Sequence, residues 1–220
     1  MIAPKLISDF VPPLNVTDTG ELALMRMHEY NVNSMAVVDG KKYTGLVSME
    51  EVINMKHLSL PLSEFINNIR KPFVSDTAHV FDIMKAAVEN NVRVVPVIDE
   101  EENYVGLISA ESCLRAFASL SSISSNGGII ELEKSTSDYS LTEIIRIVEE
   151  NEALVLSLYT NQDHENGIMQ ITVKLNTTEL NGIIAAFERY EYQITGVFNE
   201  TEYTEDMKER YDALMRYLNV

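Results

Sequence analysis

Apolar and polar positions in the first half of the chain follow an order that occurs twice. Tyr43 to Ser48 reads YTGLVS and Tyr104 to Ser109 reads YVGLIS. Each is a short apolar run interrupted by one Gly and closed by a Ser placed to cap a helix, which predicts strand, close backbone approach and helix start. Upstream of these, MAVVD from Met35 and VPVID from Val95 predict a second strand in each copy. Periodic apolar stretches from about Leu22 to Tyr30 and Val80 to Glu89 predict the helices that come before. Asn31-Val32 and Asn91-Val92 follow those helices at an offset of 60, and a longer turn, Glu100 to Asn103 against Gly40 to Lys42, moves the offset to 61. Earlier still, ISDF from Ile7 pairs with LSEF from Leu62 at an offset of 55. Lead-in, helix, strand, turn, strand, helix, read twice, predicts two units that bury their apolar faces against each other. Asp18 with Glu21, and Ser48 with Glu51, have the spacing of a capping box.

The second half has another order. SLSSISSNGG from Ser119 predicts a flexible linker with a boundary near Asn126. After it come a strand from Gly128 to Lys134, an amphipathic helix from Leu141 to Asn151 opened by Ser140 and Glu143, and a strand from Ala153 to Tyr159. An alternating strand from Ile168 to Leu175, a helix from about Thr178 to Tyr190 and a strand from Gln193 to Phe198 complete βαββαβ, a sheet with both helices on one face. Thr204 is placed to cap a last helix whose Met207, Tyr211, Leu214 and Leu218 form one stripe, for docking on its own domain or clasping a second subunit or another protein. The expected divisions are 1–60, 61–121, a linker at 122–127, 128–200 and 201–220, in an α/β (α+β) protein.

Composition narrows the function. With 220 residues and 45% hydrophobic content, the chain can bury a substantial core. No apolar run approaches the roughly 18 to 20 residues that span a bilayer, and Met1 to Phe10 has neither the basic start nor the apolar centre of a secretory signal. The expectation is a soluble cytoplasmic protein. Its formal charge is −17: residues 1–121 carry 10 Lys and Arg against 16 Asp and Glu, and residues 122–220 carry 7 against 18. The basic residues are scattered, which argues against nucleic acid as a partner, while an anionic small ligand remains open because binding it is a local matter. Cys113 is alone and reads as a small buried apolar residue. Met25, Met27, Met35, Met49 and Met55 read as core filler. There is no P-loop glycine pattern, GxSxG, HExxH or Cys pair, and His28, His57, His79 and His164 lie far apart. Asp99 to Glu102 reads as a solvated turn. No enzyme, metal or cofactor is expected.

The VVD and VID strands, the turn, the Gly-apolar-apolar-Ser strand and the helix after it resemble a cystathionine β-synthase (CBS) domain. Found twice over about residues 1–121, they resemble a Bateman module, a pseudo-symmetric CBS pair. The resemblance implies an adenine nucleotide such as AMP or ATP in the clefts between the copies, bound with a shift in geometry. It implies that Ser48 and Ser109 lie near the phosphate, and that an Asp three residues on holds the ribose hydroxyls. Here those positions are Glu51 and Ser112. Glu51 keeps two acceptor oxygens for a cis-diol and Ser112 does not. Arg93, just before VVPVID, is in place to reach a phosphate or to stand solvated. Thr17 and Thr77 hold matching positions where the family lines its cleft, and equally serve as cap or turn residues. Capping by itself also accounts for Ser48 with Glu51 and for Ser109 with Ser112.

Residues 127–200 are similar to an ACT domain, a ferredoxin-like regulatory module that binds an amino acid in many relatives. The glycine of its first strand-to-helix turn is absent from Asp138-Tyr139-Ser140-Leu141, which favours sheet-mediated dimerisation over amino-acid binding. The two modules in this order resemble proteins of the acetoin-utilisation B type. Two readings follow: a homodimeric nucleotide sensor acting on another protein, or a ligand-free interaction scaffold.

Overall fold

The computed structural model describes residues 2–7, 11–65 and 69–199. The chain divides between Ala118 and Ser119 into two compact units. In the first, each repeat forms a three-stranded sheet. Repeat 1 runs β1 (Leu14–Asn15), α1 (Gly20–Glu29), β2 (Ser34–Asp39), β3 (Lys42–Ser48) and α2 (Met49–Ile53). Repeat 2 runs β4 (Val74–Ser75), α3 (Val80–Glu89), β5 (Val94–Ile98), β6 (Tyr104–Ser109) and α4 (Ala110–Leu120). The sheet orders are β1-β2-β3 and β4-β5-β6, with the first pair parallel and the second antiparallel. β2 and β5 are central strands covered on both faces, and every residue from Met35 to Val38 and from Val94 to Ile98 is buried. The repeats also share a register irregularity, between Val37 and Val38 and between Val97 and Ile98, opposite Gly45 and Gly106.

The lead-in segments are exchanged. Ala3, fully buried, packs in the core of repeat 2 with Val95 and Ile108, and its N–H donates to the Ala78 carbonyl at 2.9 Å. Leu62 packs in the core of repeat 1 with Leu14 and Val47, and its N–H donates to the Asp18 carbonyl at 2.8 Å. Ala3–Lys5 and Leu62–Glu64 are thus the equivalent turns, at an offset of 59. This corrects the pairing of ISDF with LSEF at 55, which follows a local identity rather than the contacts. The glycines of β3 and β6 admit these segments. A Cβ on Gly106 would lie 2.4 Å from Ile7 Cγ2, and one on Gly45 would lie 3.0 Å from the Arg70 carbonyl oxygen.

The repeats meet about a local pseudo-dyad. The Tyr43 N–H donates to the Glu102 carbonyl at 3.1 Å and the Tyr104 N–H to the Lys41 carbonyl at 2.8 Å. The two rings stack with centroids 6.5 Å apart, and burial pushes both phenols well above their ordinary range.

In the second unit, β7 (Gly128–Ser135), α5 (Leu141–Glu150), β8 (Val155–Asp163), β9 (Ile168–Leu175), α6 (Asn181–Arg189) and β10 (Gln193–Asn199) form a ferredoxin-like βαββαβ fold. Its antiparallel sheet has the order β10-β7-β9-β8. Ile130, Leu132, Ile171 and Val173 face Ile144, Ile147, Ile183 and Phe187 of the two helices in one core. Tyr192 packs there edge-on to Phe187. Gly127, at φ +152°, lies where a Cβ would fall 1.8 Å from the Leu175 carbonyl oxygen.

Two expectations change on contact with the structure. The serine-rich stretch is held in part: α4 extends to Leu120, Ser121 is buried, and its carbonyl accepts from the Ser157 hydroxyl at 3.1 Å. Lys174 Nζ donates to the Ile123 carbonyl at 3.2 Å. Asp18 is not the cap of α1. Thr19 is, accepting from the Leu22 N–H, while Asp18 accepts from the Asn15 N–H at 2.9 Å and Arg26 Nη1 at 3.2 Å. The expected helix beyond Thr204 lies outside the described residues. No helix among the described residues is long and apolar enough to cross a membrane.

Candidate functional site

Two strand-to-helix junctions place the candidate serines. Ser48 closes β3 in extended backbone and caps α2: its hydroxyl accepts from the Glu51 N–H at 3.2 Å. In return Glu51 Oε2 accepts from the Ser48 N–H and the Ser48 hydroxyl, both at 2.7 Å. This box is complete, so the Ser48 hydroxyl and one Glu51 oxygen are already partnered. At the second junction the Ser109 hydroxyl accepts from the Ser112 N–H at 3.1 Å and shares a 3.1 Å hydrogen bond with the Ser112 hydroxyl. The same backbone bond supports both junctions: the Asn33 carbonyl accepts from the Met49 N–H, and the Arg93 carbonyl from the Ala110 N–H, each at 2.8 Å.

These junctions flank two clefts between the repeats. The larger, about 500 Å³, is lined by Ser48, Glu51 and Ile53 of repeat 1 and Val92 and Arg93 of repeat 2, with Arg70, whose carbonyl accepts from the Leu46 N–H at 2.9 Å. The smaller, about 460 Å³, is lined by Val11, Val32 and Leu107 together with Arg93, Ser109 and Glu111. Ser48, Glu51 and Arg93 therefore come together in one cleft, and Arg93 and Ser109 in the other. Ser112 sits behind Ser109, outside the lining. Thr17 and Thr77 hold the turns before α1 and α3: the Thr17 hydroxyl donates to Asn15 Oδ1 at 3.0 Å, and Thr77 shares a 2.9 Å hydrogen bond with the Ser75 hydroxyl. The caps of those helices are Thr19 and His79.

The cations of the larger cleft differ in freedom. Arg70 Nη1 donates to the Asn90 carbonyl at 3.1 Å, at the C-terminal end of α3 where a positive charge is favourable. Arg93 is exposed, and among the described residues its guanidinium has no ion pair and no hydrogen bond. The sequence reading passed over Arg70, whose place is set by the exchanged lead-in. It passed over Asn33 as well, which lines both clefts. The signal for Asn33 lies in Asn31 and Asn91, which take left-handed φ values of 52° and 51° at the ends of α1 and α3. From those fixed points Asn33 and Arg93 occupy equivalent positions, one residue before β2 and β5.

In the second unit the first strand-to-helix turn is closed on itself. The Ser135 hydroxyl donates to Asp138 Oδ2 at 2.8 Å, and the Ser140 hydroxyl accepts from the Glu143 N–H at 3.3 Å. The Glu143 side chain does not complete a capping box. It lies instead beside the Tyr192 hydroxyl, whose pKa is pushed up to about 12 by burial first and by Glu143 second.

Residues 6–57 and 63–119 match the family model of the CBS domain. Among solved structures, the chain is similar to a CBS domain pair/ACT domain protein from Thermotoga maritima, with 24% identity and a TM-score of 0.49 over 54% of this chain and 98% of that one. It is also similar to the CBS domains of a transcriptional regulator from Streptococcus pneumoniae, with 17% identity and a TM-score of 0.48 over 52% and 98%. A third is the cytosolic domain of the Mg²⁺ channel MgtE in complex with ATP, with 20% identity and a TM-score of 0.46 over 52% and 48%.

Proposed function

With residues 6–57 and 63–119 forming a tandem pair of CBS domains, we propose that this chain is a regulatory sensor whose larger cleft takes an adenine nucleotide. The observation that carries the reading is Arg93: a guanidinium without a partner among the described residues, lining the same cleft as Ser48 and Glu51. A cation at a cleft without a counter-ion is a ready phosphate site, because guanidinium and phosphate join through parallel charge-assisted hydrogen bonds. The rest of the lining suits a nucleotide. About 500 Å³ falls within the range of small-ligand sites. Leu46, Met49 and Val92 offer apolar contact to a base, and Glu51 keeps one oxygen for a ribose hydroxyl.

The test is thermal unfolding of the full chain with millimolar AMP, ADP, ATP or S-adenosylmethionine. Ligand at 100 times its dissociation constant adds about 2.7 kcal/mol, a shift of roughly 5 to 10 °C at about 2 to 4 °C per kcal/mol for this length. Arg93→Ala removes the shift. A midpoint that none of the four moves rejects the reading.

Ile53 and Leu114 favour a second feature, assembly as a homodimer. They hold matched positions on α2 and α4 and are 59% and 65% exposed. Exposed large apolar side chains repeated at matched positions of the two repeats fit a self-complementary contact. Sedimentation tests this: the wild-type chain sediments as a dimer, and Ile53→Glu with Leu114→Glu yields a monomer.

A further inference from the structure

The two clefts of the first unit draw on one cation. Pseudo-symmetry gives them matching junctions, and Asn33 and Arg93, the equivalent residues of repeats 1 and 2, each line both clefts. Only one of these two positions carries a charge. Arg70 lines the larger cleft and is engaged at the end of α3. In the smaller cleft the other charged lining residue is Glu111, which repels an anion.

We infer that one chain holds one nucleotide, because loading either cleft withdraws Arg93 from the other. This rests on the nucleotide reading above and goes beyond it to the coupling of the sites. A guanidinium that grips a phosphate through two parallel N–H groups presents one edge of a planar fork to it. Drawn onto a phosphate in one cleft, that edge is lost to the other cleft, and the first anion has by then more than offset the single positive charge. The second ligand meets a pair of net negative charge beside Glu111 instead of a free cation, because a phosphate monoester carries about two negative charges at neutral pH. Coupling between sites is reciprocal, so the exclusion holds whichever cleft fills first. The larger cleft, where Glu51 keeps one oxygen for a ribose hydroxyl, is the one filled.

Moving the charge tests this. Asn33 is exposed, and among the described residues its side chain makes one hydrogen bond, accepting from the Ser34 hydroxyl at 3.5 Å, so Asn33→Arg adds the missing cation at the loss of that bond. The full chain is titrated calorimetrically with AMP and with ATP. The wild type is expected to take one nucleotide per chain and Asn33→Arg two. Arg93→Ala lowers affinity by about a hundredfold or more, and Asn33→Arg with Arg93→Ala restores a single site. If the melting curve shows that Asn33→Arg does not fold, Asn33→Lys places the same charge on a narrower side chain and carries the same expectation. Two equal sites in the wild type, or a single site retained in the folded Asn33 variant, overturns the shared-cation inference while leaving the nucleotide reading in place. No binding of either nucleotide by the wild type overturns both.

Discussion

At the scale of single residues, the site separates side chains that hold the fold from side chains free to act. Ser48 and Glu51 satisfy each other at the head of α2, so Ser48→Ala is expected to cost about 1 kcal/mol with no ligand present. Arg93→Ala is expected to leave the unliganded melting temperature unchanged, since no hydrogen bond or ion pair of a described residue is lost. Parallel thermal melts check both, and an equal drop for the two variants would contradict the division of roles. Tyr192 allows a second check. Its phenol is raised from 10.0 to about 12, so between those values the unfolded chain loses a proton that the folded chain keeps. The stability it contributes is complete below pH 10 and is lost as pH rises toward 12. Phenolate absorbance during an alkaline titration should show one group near 12 that Tyr192→Phe removes; a group lost near 10 would contradict the buried placement beside Glu143. The Ser48 and Glu51 box was legible from spacing, because a cap is a local event. The engagement of Glu143 with Tyr192 was not, because it joins residues far apart in sequence.

At the scale of elements, strands and helices were legible because their apolar periods are local properties. α3 and β9 occupy the expected residues, and β2, β3, β5 and β6 fall on the expected apolar runs. The exchange of the lead-in segments was not legible: Ala3 and Leu62 have partners in distant parts of the chain, and a four-residue identity drew the alignment to the wrong offset. That exchange makes Gly106 a packing requirement. Gly106→Ala places a methyl group 2.4 Å from Ile7 Cγ2, and overpacking of this kind costs about 1 to 3 kcal/mol. Combining it with Ile7→Ala is expected to recover part of the loss in a double-mutant cycle. Purely additive losses would show that Ile7 does not rest on β6. The clefts themselves were half legible. Their serines follow from the repeated YxGLxS strand, whereas Arg70 reaches the larger cleft through the exchange and could not be placed by pattern.

At the scale of the whole molecule, the sequence carries two units of different design. One is a doubled α/β unit with clefts between its copies, and the other is a ferredoxin-like sheet whose helices cover one face. The acidic excess, −17 over the chain, does not describe the larger cleft, whose lining sets Arg70 and Arg93 against Glu50 and Glu51 in equal number. A local constellation therefore decides what binds, and the global charge decides little. The central claim is that the nucleotide enters the first unit. Hydrogen–deuterium exchange of the full chain with and without millimolar ATP tests it most directly. The account predicts slower exchange in residues 46–54 and 91–93, abolished by Arg93→Ala, and no change across residues 128–199. Protection confined to residues 128–199, or protection in the first unit that survives Arg93→Ala, would contradict it.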